Sequence, residues 1–117
     1  MVLIMSLIAE KLRAARRIEI QVGDITFTGM RATPEQYSRS LNASMTDAEV
    51  CRLHIDGAEG AKESDLIEGG AKTAWKFNRE DFSEVIAEKP EWYKPLVSAI
   101  IKDAEERFLK KAENQKN

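Results

Sequence analysis

Apolar and polar residues alternate in two short runs near the start of the chain, at residues 18–22 and 25–28. Alternation with period two predicts β-strands, and the Gly23-Asp24 pair between the runs suits a two-residue hairpin turn. We expect the residues that flank this turn to face each other, because that register separates apolar side chains from polar ones. The apolar face then consists of Ile18, Ile20, Val22, Ile25 and Phe27.

Helical spacing of apolar residues, together with capping signals, predicts four to five helices around the hairpin. They are expected at residues 6–16, 34–42, 47–55, 79–89 and 95–111. Thr33 and Thr46 each precede a glutamine or glutamate by three residues, which is the capping-box spacing, and Asn78 suits the N-cap of the fourth helix. Pro90 is expected to end that helix, and Pro95 to lie in the first turn of the last one.

These elements predict one α+β domain of 117 residues, in which an N-terminal β-hairpin packs against the helices and most of the chain is helical. We expect residues 1–5 and 112–117 to be disordered, because nothing in their pattern ties them to a core. Residues 58–74 contain three glycines and only two large aliphatic residues. That composition favours a mobile loop with one helical turn inside it.

The net charge limits the kinds of partner that the chain could bind, and the cysteine content indicates its cellular compartment. The formal net charge of -2 gives no overall attraction to nucleic acid or to an anionic membrane. The apolar run at the start is too short to span a bilayer and lacks the preceding positive charges of a signal peptide. The single cysteine, Cys51, cannot form an internal disulfide, which favours a reducing compartment, so we expect the cytoplasm.

Few residues in the sequence are candidates for catalysis or metal binding. Cys51 and His54 are the only cysteine and the only histidine, and they are spaced one helical turn apart, as a metal site or a Cys-His nucleophile would require. A zinc site needs about four ligands, however, and no second cysteine or histidine exists. The sequence contains no recognisable nucleophile-base set, framed carboxylate pair or cofactor loop. We expect a non-enzymatic protein with no metal and no cofactor, in which a buried Cys51 lies beside a half-exposed His54.

Residues 6–37 predict a basic helix, a hairpin and an arginine before the next helix, and residues 77–106 predict two helices joined at a proline-bounded junction. In these two stretches the chain resembles the tail assembly chaperones of long-tailed bacteriophages. Residues 6–37, SLIAEKLRAARRIEIQVGDITFTGMRATPEQY, are similar to the family's short basic helix, its hairpin of type V-x-V-G-x-x-F-T and the arginine before its next helix. Thr33 and Pro34 stand in the reverse of the family's usual order. Residues 77–106, FNREDFSEVIAEKPEWYKPLVSAIIKDAEE, are similar to its two late helices with a proline-bounded junction.

The resemblance implies a non-virion chaperone that binds the tape measure protein in the host cytoplasm and keeps it soluble during tail assembly. It also implies the tail tube protein as a further partner, and a homo-oligomer is left open. A chaperone for long amphipathic helices needs exposed apolar surface. The residues expected to form that surface, or alternatively to pack in the core, are Tyr37, Leu41, Trp75, Trp92, Ile101 and Phe108.

Two other classes of protein stay open from the sequence. One is a small structural protein of the virion, such as a tail completion protein. The other is a small regulator that binds nucleic acid through Lys11, Arg13, Arg16 and Arg17. Because basic residues at the end of a helix also complement its dipole, this basic cluster has a purely structural interpretation too.

Overall fold

A three-stranded antiparallel sheet with strand order β1-β2-β3 and six helices make up the described part of the chain. The computed structural model describes residues 2–41 and 45–116, with side chains described for residues 7–39 and 45–109. In chain order the elements are α1 (Val2–Ala15), β1 (Arg17–Val22), β2 (Ile25–Met30), α2 (Pro34–Leu41), α3 (Asp47–His54), β3 (Ile55–Glu59), α4 (Glu63–Leu66), α5 (Arg79–Ile86) and α6 (Pro90–Lys116). The predicted α+β class is confirmed.

The hairpin formed by β1 and β2 has the register that the alternating pattern predicts. Val22 is paired with Ile25 and Ile20 with Phe27 across the turn. Gly23 has a φ of 60°, a conformation that glycine adopts without steric cost. The side chains on the predicted apolar face are buried or half-buried, so this face forms one wall of the core.

A third strand, β3, was not predicted. We expected α3 to continue through Ile55, but the helix ends at His54 and the chain turns directly into a strand that pairs with β2. The pairing contains an irregularity between Thr28 and Gly29. The expected helix end was wrong because Ile55, which is fully buried, gains more from packing at the sheet than from another residue of helix.

Helices α5 and α6 cover the apolar face of the sheet. Phe27, in the central strand, has its ring centroid 6.3 Å from that of Phe82 in α5 and 5.3 Å from that of Trp92 in α6. Helix α2, which directly follows the hairpin, packs on α6 instead. The buried core also includes Val50, Cys51, Ile86, Leu96, Val97, Ile100 and Ala104.

Capping hydrogen bonds confirm the predicted starts of α2, α3 and α5. Thr33 and Gln36 exchange both capping-box bonds, with Gln36 N donating to Thr33 Oγ1 at 3.2 Å and Thr33 N donating to Gln36 Oε1 at 2.9 Å. Thr46 Oγ1 accepts from Glu49 N at 3.2 Å. Asn78 Oδ1 accepts from the third residue of its helix at 2.8 Å. The expected end of α2 at residue 42 lies outside the described residues.

The last helix begins earlier than predicted. Pro90 does not merely end the preceding helix, which stops at Ile86, but occupies the first position of α6, and Pro95 lies inside α6. Pro95 costs α6 one backbone hydrogen bond. The helix continues through it because Trp92 and Leu96, on either side of Pro95, are both buried in the core.

Helix α1 stands away from the domain. It begins at Val2 rather than at the expected Ser6, and every side chain described in it, from Leu7 to Ala15, is exposed. Its apolar residues Leu7, Ile8 and Leu12 are 53%, 56% and 57% exposed. None of the described helices is long and apolar enough to cross a membrane.

Candidate functional site

A row of aromatic rings leads from the core to the surface and ends at Trp75. Inside the molecule, Phe27 packs on Phe82, and the ring centroid of Phe82 lies 5.3 Å from that of Phe77. Phe77 in turn lies 5.4 Å from Trp75, which is half-buried. The position of Trp75 is therefore held by the same packing that holds the core.

Trp75 forms one wall of an open groove of about 460 Å³ between α4 and α5. The apolar lining of the groove consists of Leu66, Ile67, Ala74, Trp75 and Val85. Ile67 is 56% exposed, so a large aliphatic side chain is left uncovered at this position. We call this site the Trp75 groove. Its ten lining residues are Glu63, Leu66, Ile67, Ala74, Trp75, Lys76, Glu80, Asp81, Glu84 and Val85.

Main-chain hydrogen bonds give the loop that carries Ile67 a definite shape. Trp75 N donates to Ala61 O at 2.9 Å, and Glu63 N donates to Thr73 O at 3.0 Å. Lys62 and Ala74 form an isolated antiparallel bridge between the two arms of the loop. The single helical turn expected here is α4, while the predicted mobility of residues 58–74 stays a prediction.

Carboxylates surround the apolar walls of the Trp75 groove. Glu63, Glu80 and Glu84 have no ion-pair partner among the described side chains, and all three are exposed. Among the described residues that line the groove, Lys76 is the only basic one. An apolar surface with an unpaired negative rim favours a ligand that has apolar side chains flanked by positive charge.

The fourth carboxylate of the groove, Asp81, has a structural role. Its Oδ2 accepts hydrogen bonds from Trp75 Nε1 at 3.0 Å and from Asn78 Nδ2 at 2.7 Å. These hydrogen bonds, the one from Trp75 first, hold the pKa of Asp81 below its ordinary value. Asp81 therefore fixes the tilt of the indole ring and keeps that wall of the groove in place.

The six residues predicted to bind a partner separate into different environments. Tyr37 and Phe108 meet between α2 and α6, with ring centroids 5.4 Å apart, and Tyr37 Oη donates to Glu105 Oε1 at 3.3 Å. Ile101 lies earlier on α6 and is half-buried, like both of those rings. The side chain of Leu41 lies outside those described.

The two predicted tryptophans are not neighbours. Trp92 is 5% exposed and packs on Phe27, so its side chain belongs to the core. Trp75 lines the open groove between α4 and α5, whereas the small exposed part of Trp92 borders a separate pocket beside the hairpin turn. Sequence reasoning named Trp75 for its aromatic ring but missed Ile67 and the carboxylates across from it, because a loop rich in glycine gives no periodic pattern from which a facing wall can be deduced.

Cys51 and His54 are both buried. Cys51 is fully buried, as expected, and burial is the main reason that its thiol pKa is raised to about 12. The expectation of a half-exposed His54 was wrong, since the residue is 2% exposed and its Nδ1 donates to Met30 O at 3.1 Å. Burial lowers the pKa of His54, and the hydrogen bond to Met30 offsets part of that effect. Neither side chain reaches a surface where a substrate could bind.

No group of three or more histidine, cysteine, aspartate or glutamate side chains among the described residues is arranged to hold a metal ion. The basic residues considered for nucleic-acid binding are divided between different environments. Arg17 Nη1 lies 2.6 Å from Asp56 Oδ2, and Arg16 is half-buried. Lys11 and Arg13 remain exposed on α1.

Comparison of the chain with protein-family models, with curated proteins and with solved structures finds no significant match.

Proposed function

We propose that this chain is a non-enzymatic tail assembly chaperone of a bacteriophage or prophage, which binds the tape measure protein in the host cytoplasm and keeps it soluble. The observation that supports the proposal is the Trp75 groove, in which uncovered apolar side chains lie inside a rim of unpaired carboxylates. The resemblance of residues 6–37 and 77–106 to that family supplies the identity of the client.

The apolar side chains and the negative rim of the groove match the properties of such a client. A tape measure protein is a long amphipathic helix that aggregates through its apolar face until the tail is built around it. An amphipathic helix binds an apolar groove through side chains spaced three and four residues apart. The exposed Ile67 offers such a contact, and the negative rim keeps the complex charged and therefore soluble.

Co-expression with a fragment of the tape measure protein tests the proposal. We expect the unaltered chain to keep the fragment in the soluble fraction, and Ile67→Asp to lose most of that effect because it places a charge in the apolar part of the groove. Leu53→Asp is the matched control, since Leu53 is 42% exposed and does not line the groove. A fragment that stays equally insoluble with and without the unaltered chain would contradict the proposal.

Mature particles provide a second test. A chaperone leaves the assembly before the tail is complete, so mass spectrometry of purified particles is expected to detect the tape measure protein without this chain. Recovery of the chain in fixed proportion to the tail tube protein would instead identify it as a structural protein of the virion.

A further inference from the structure

Two surfaces of this chain lack a partner in the described structure, and their chemistry is complementary. One is the apolar stripe of α1, where Leu7, Ile8 and Leu12 are all more than half exposed. The other is the Trp75 groove with its negative rim. We propose that helix α1 of one copy of this chain lies in the Trp75 groove of a second copy.

Helix α1 needs a surface to pack against. It has 14 residues, and a helix of that length is marginally stable in water unless its apolar side chains are covered. Its own domain does not cover them, since all described side chains from Leu7 to Ala15 are exposed. An apolar groove on a second copy provides that cover.

Charge favours the Trp75 groove as the place where α1 binds. Lys11 follows Leu7 by four residues and Ile8 by three, so it lies on the same side of the helix as these apolar residues. An ammonium group within a docked face requires a carboxylate as a partner. Glu63, Glu80 and Glu84 are unpaired within the described part of the chain and border the apolar walls.

The connection between α1 and the domain permits an exchange between copies. Helix α1 ends at Ala15, and the following residue, Arg16, forms the turn into β1. The first residue of β1, Arg17, is held to Asp56 by an ion pair of 2.6 Å. The domain is therefore anchored immediately after α1, and the helix itself remains available to a neighbour.

Sedimentation of the purified full chain over a range of concentrations is the first test. We expect the unaltered chain to self-associate. Leu12→Asp, which alters the helix, and Ile67→Asp, which alters the groove, are each expected to weaken association by about tenfold or more, because each puts a charge into an apolar contact. Leu53→Asp, at an exposed site outside both surfaces, should associate like the unaltered chain. A chain that stays monomeric throughout would overturn the proposal.

A mixture of the two defective variants tests how the copies meet. The Leu12→Asp chain retains an intact groove and the Ile67→Asp chain retains an intact α1, so an equimolar mixture is expected to associate more strongly than either variant alone. A mixture that remains as weakly associated as its components would show that α1 and the groove do not bind each other. Circular dichroism of each variant establishes that both are folded.

Zero-length carbodiimide cross-linking of a mixture of light and heavy isotope-labelled chains distinguishes contacts between two copies from contacts within one copy. We expect a cross-link between Lys11 and one of Glu63, Glu80 or Glu84 that joins one light and one heavy peptide. Cross-links that join only peptides of equal label would mean that α1 folds onto the groove of its own chain, and would overturn the proposal.

This inference does not depend on the identity of the client, because every measurement uses the purified chain alone. Leu12→Asp separates the two proposals, since it leaves the groove intact and is expected to retain protection of a tape measure fragment while losing self-association. If the chaperone proposal fails, the sedimentation and cross-linking results keep their meaning.

Discussion

The buried side chain of His54 is expected to make the stability of the fold depend on pH. A backbone carbonyl can only accept, so Nδ1 carries the proton that bonds to Met30 O, and Nε2 has no hydrogen-bond partner among the described groups. The ring is almost completely buried and lies against the backbone of Met30, the last residue of β2. Protonating Nε2 would place a positive charge at this buried position, and for this reason burial lowers the pKa of His54.

We expect the free energy of unfolding to fall as the pH drops from about 7 to about 5, because the unfolded chain then binds a proton at its only histidine that the folded chain resists. A lowered folded pKa means that the stabilisation is fully present above the unfolded pKa of 6.5 and is lost as the pH falls through the folded pKa. His54→Leu should flatten this dependence. Urea unfolding at several pH values measures it, and equal slopes for both chains would contradict the assignment.

At the scale of elements, Asp103 joins α6 to the segment that follows β2. Its carboxylate accepts from Arg107 Nε at 3.0 Å and lies 3.4 Å from Arg31 Nε, a contact that has ion-pair distance but not hydrogen-bond geometry. Arg107 also donates to Ala32 O at 2.9 Å. One carboxylate thus organises two arginines at the junction between helix and sheet.

Asp103→Asn is expected to lower the free energy of unfolding by about 1–2 kcal/mol, because it leaves these arginines near a neutral amide at a site that is mostly shielded from water. Asp56→Asn is the matched control. It breaks the Arg17 ion pair, whose side chains are 47% and 37% exposed, and should cost only about 0–1 kcal/mol. Urea unfolding of both variants gives the comparison, and equal losses would contradict a special role for Asp103.

The hairpin could be predicted from the sequence because its signal is local: alternating residues on both sides of a suitable turn permit one register. Strand β3 could not be predicted in this way, because Asp56, Gly57 and Ala58 have no alternating pattern and low strand propensity. The strand depends instead on a close approach between the backbone of β2 at Gly29 and the backbone at His54. A Cβ on Gly29 would collide with the carbonyl oxygen of His54, so the absence of a side chain in β2 lets the chain pass.

The difference between local sequence signals and long-range contacts also explains what could be predicted of α6 and of the candidate site. Pro95 was expected to begin a helix from its local preference, yet the burial of Trp92 and Leu96 extends α6 past it. Trp75 could be selected from the sequence, but its groove exists only because main-chain bonds fold α4 and Ile67 opposite α5. Contacts between segments distant in sequence decided each feature that was missed.

At the scale of the whole molecule, the residues that stabilise the fold and the residues proposed to bind a partner lie in different places. The core lies between the sheet and helices α3, α5 and α6, and Leu96 is completely buried within it. Helix α1 contributes no described side chain to this core. The domain should therefore fold even when α1 has not bound a partner.

Leu96→Ala is expected to lower the free energy of unfolding by about 2–5 kcal/mol, since it leaves a cavity in the core. Leu12→Asp should change it by only about 0.5 kcal/mol or less, because Leu12 is 57% exposed on a helix that its own domain does not cover. Both are measured by urea unfolding at concentrations low enough for monomers, since self-association would add its own stabilisation. A large loss from Leu12→Asp under those conditions would mean that α1 packs on its own domain, and the helix would then not be free to bind a second copy.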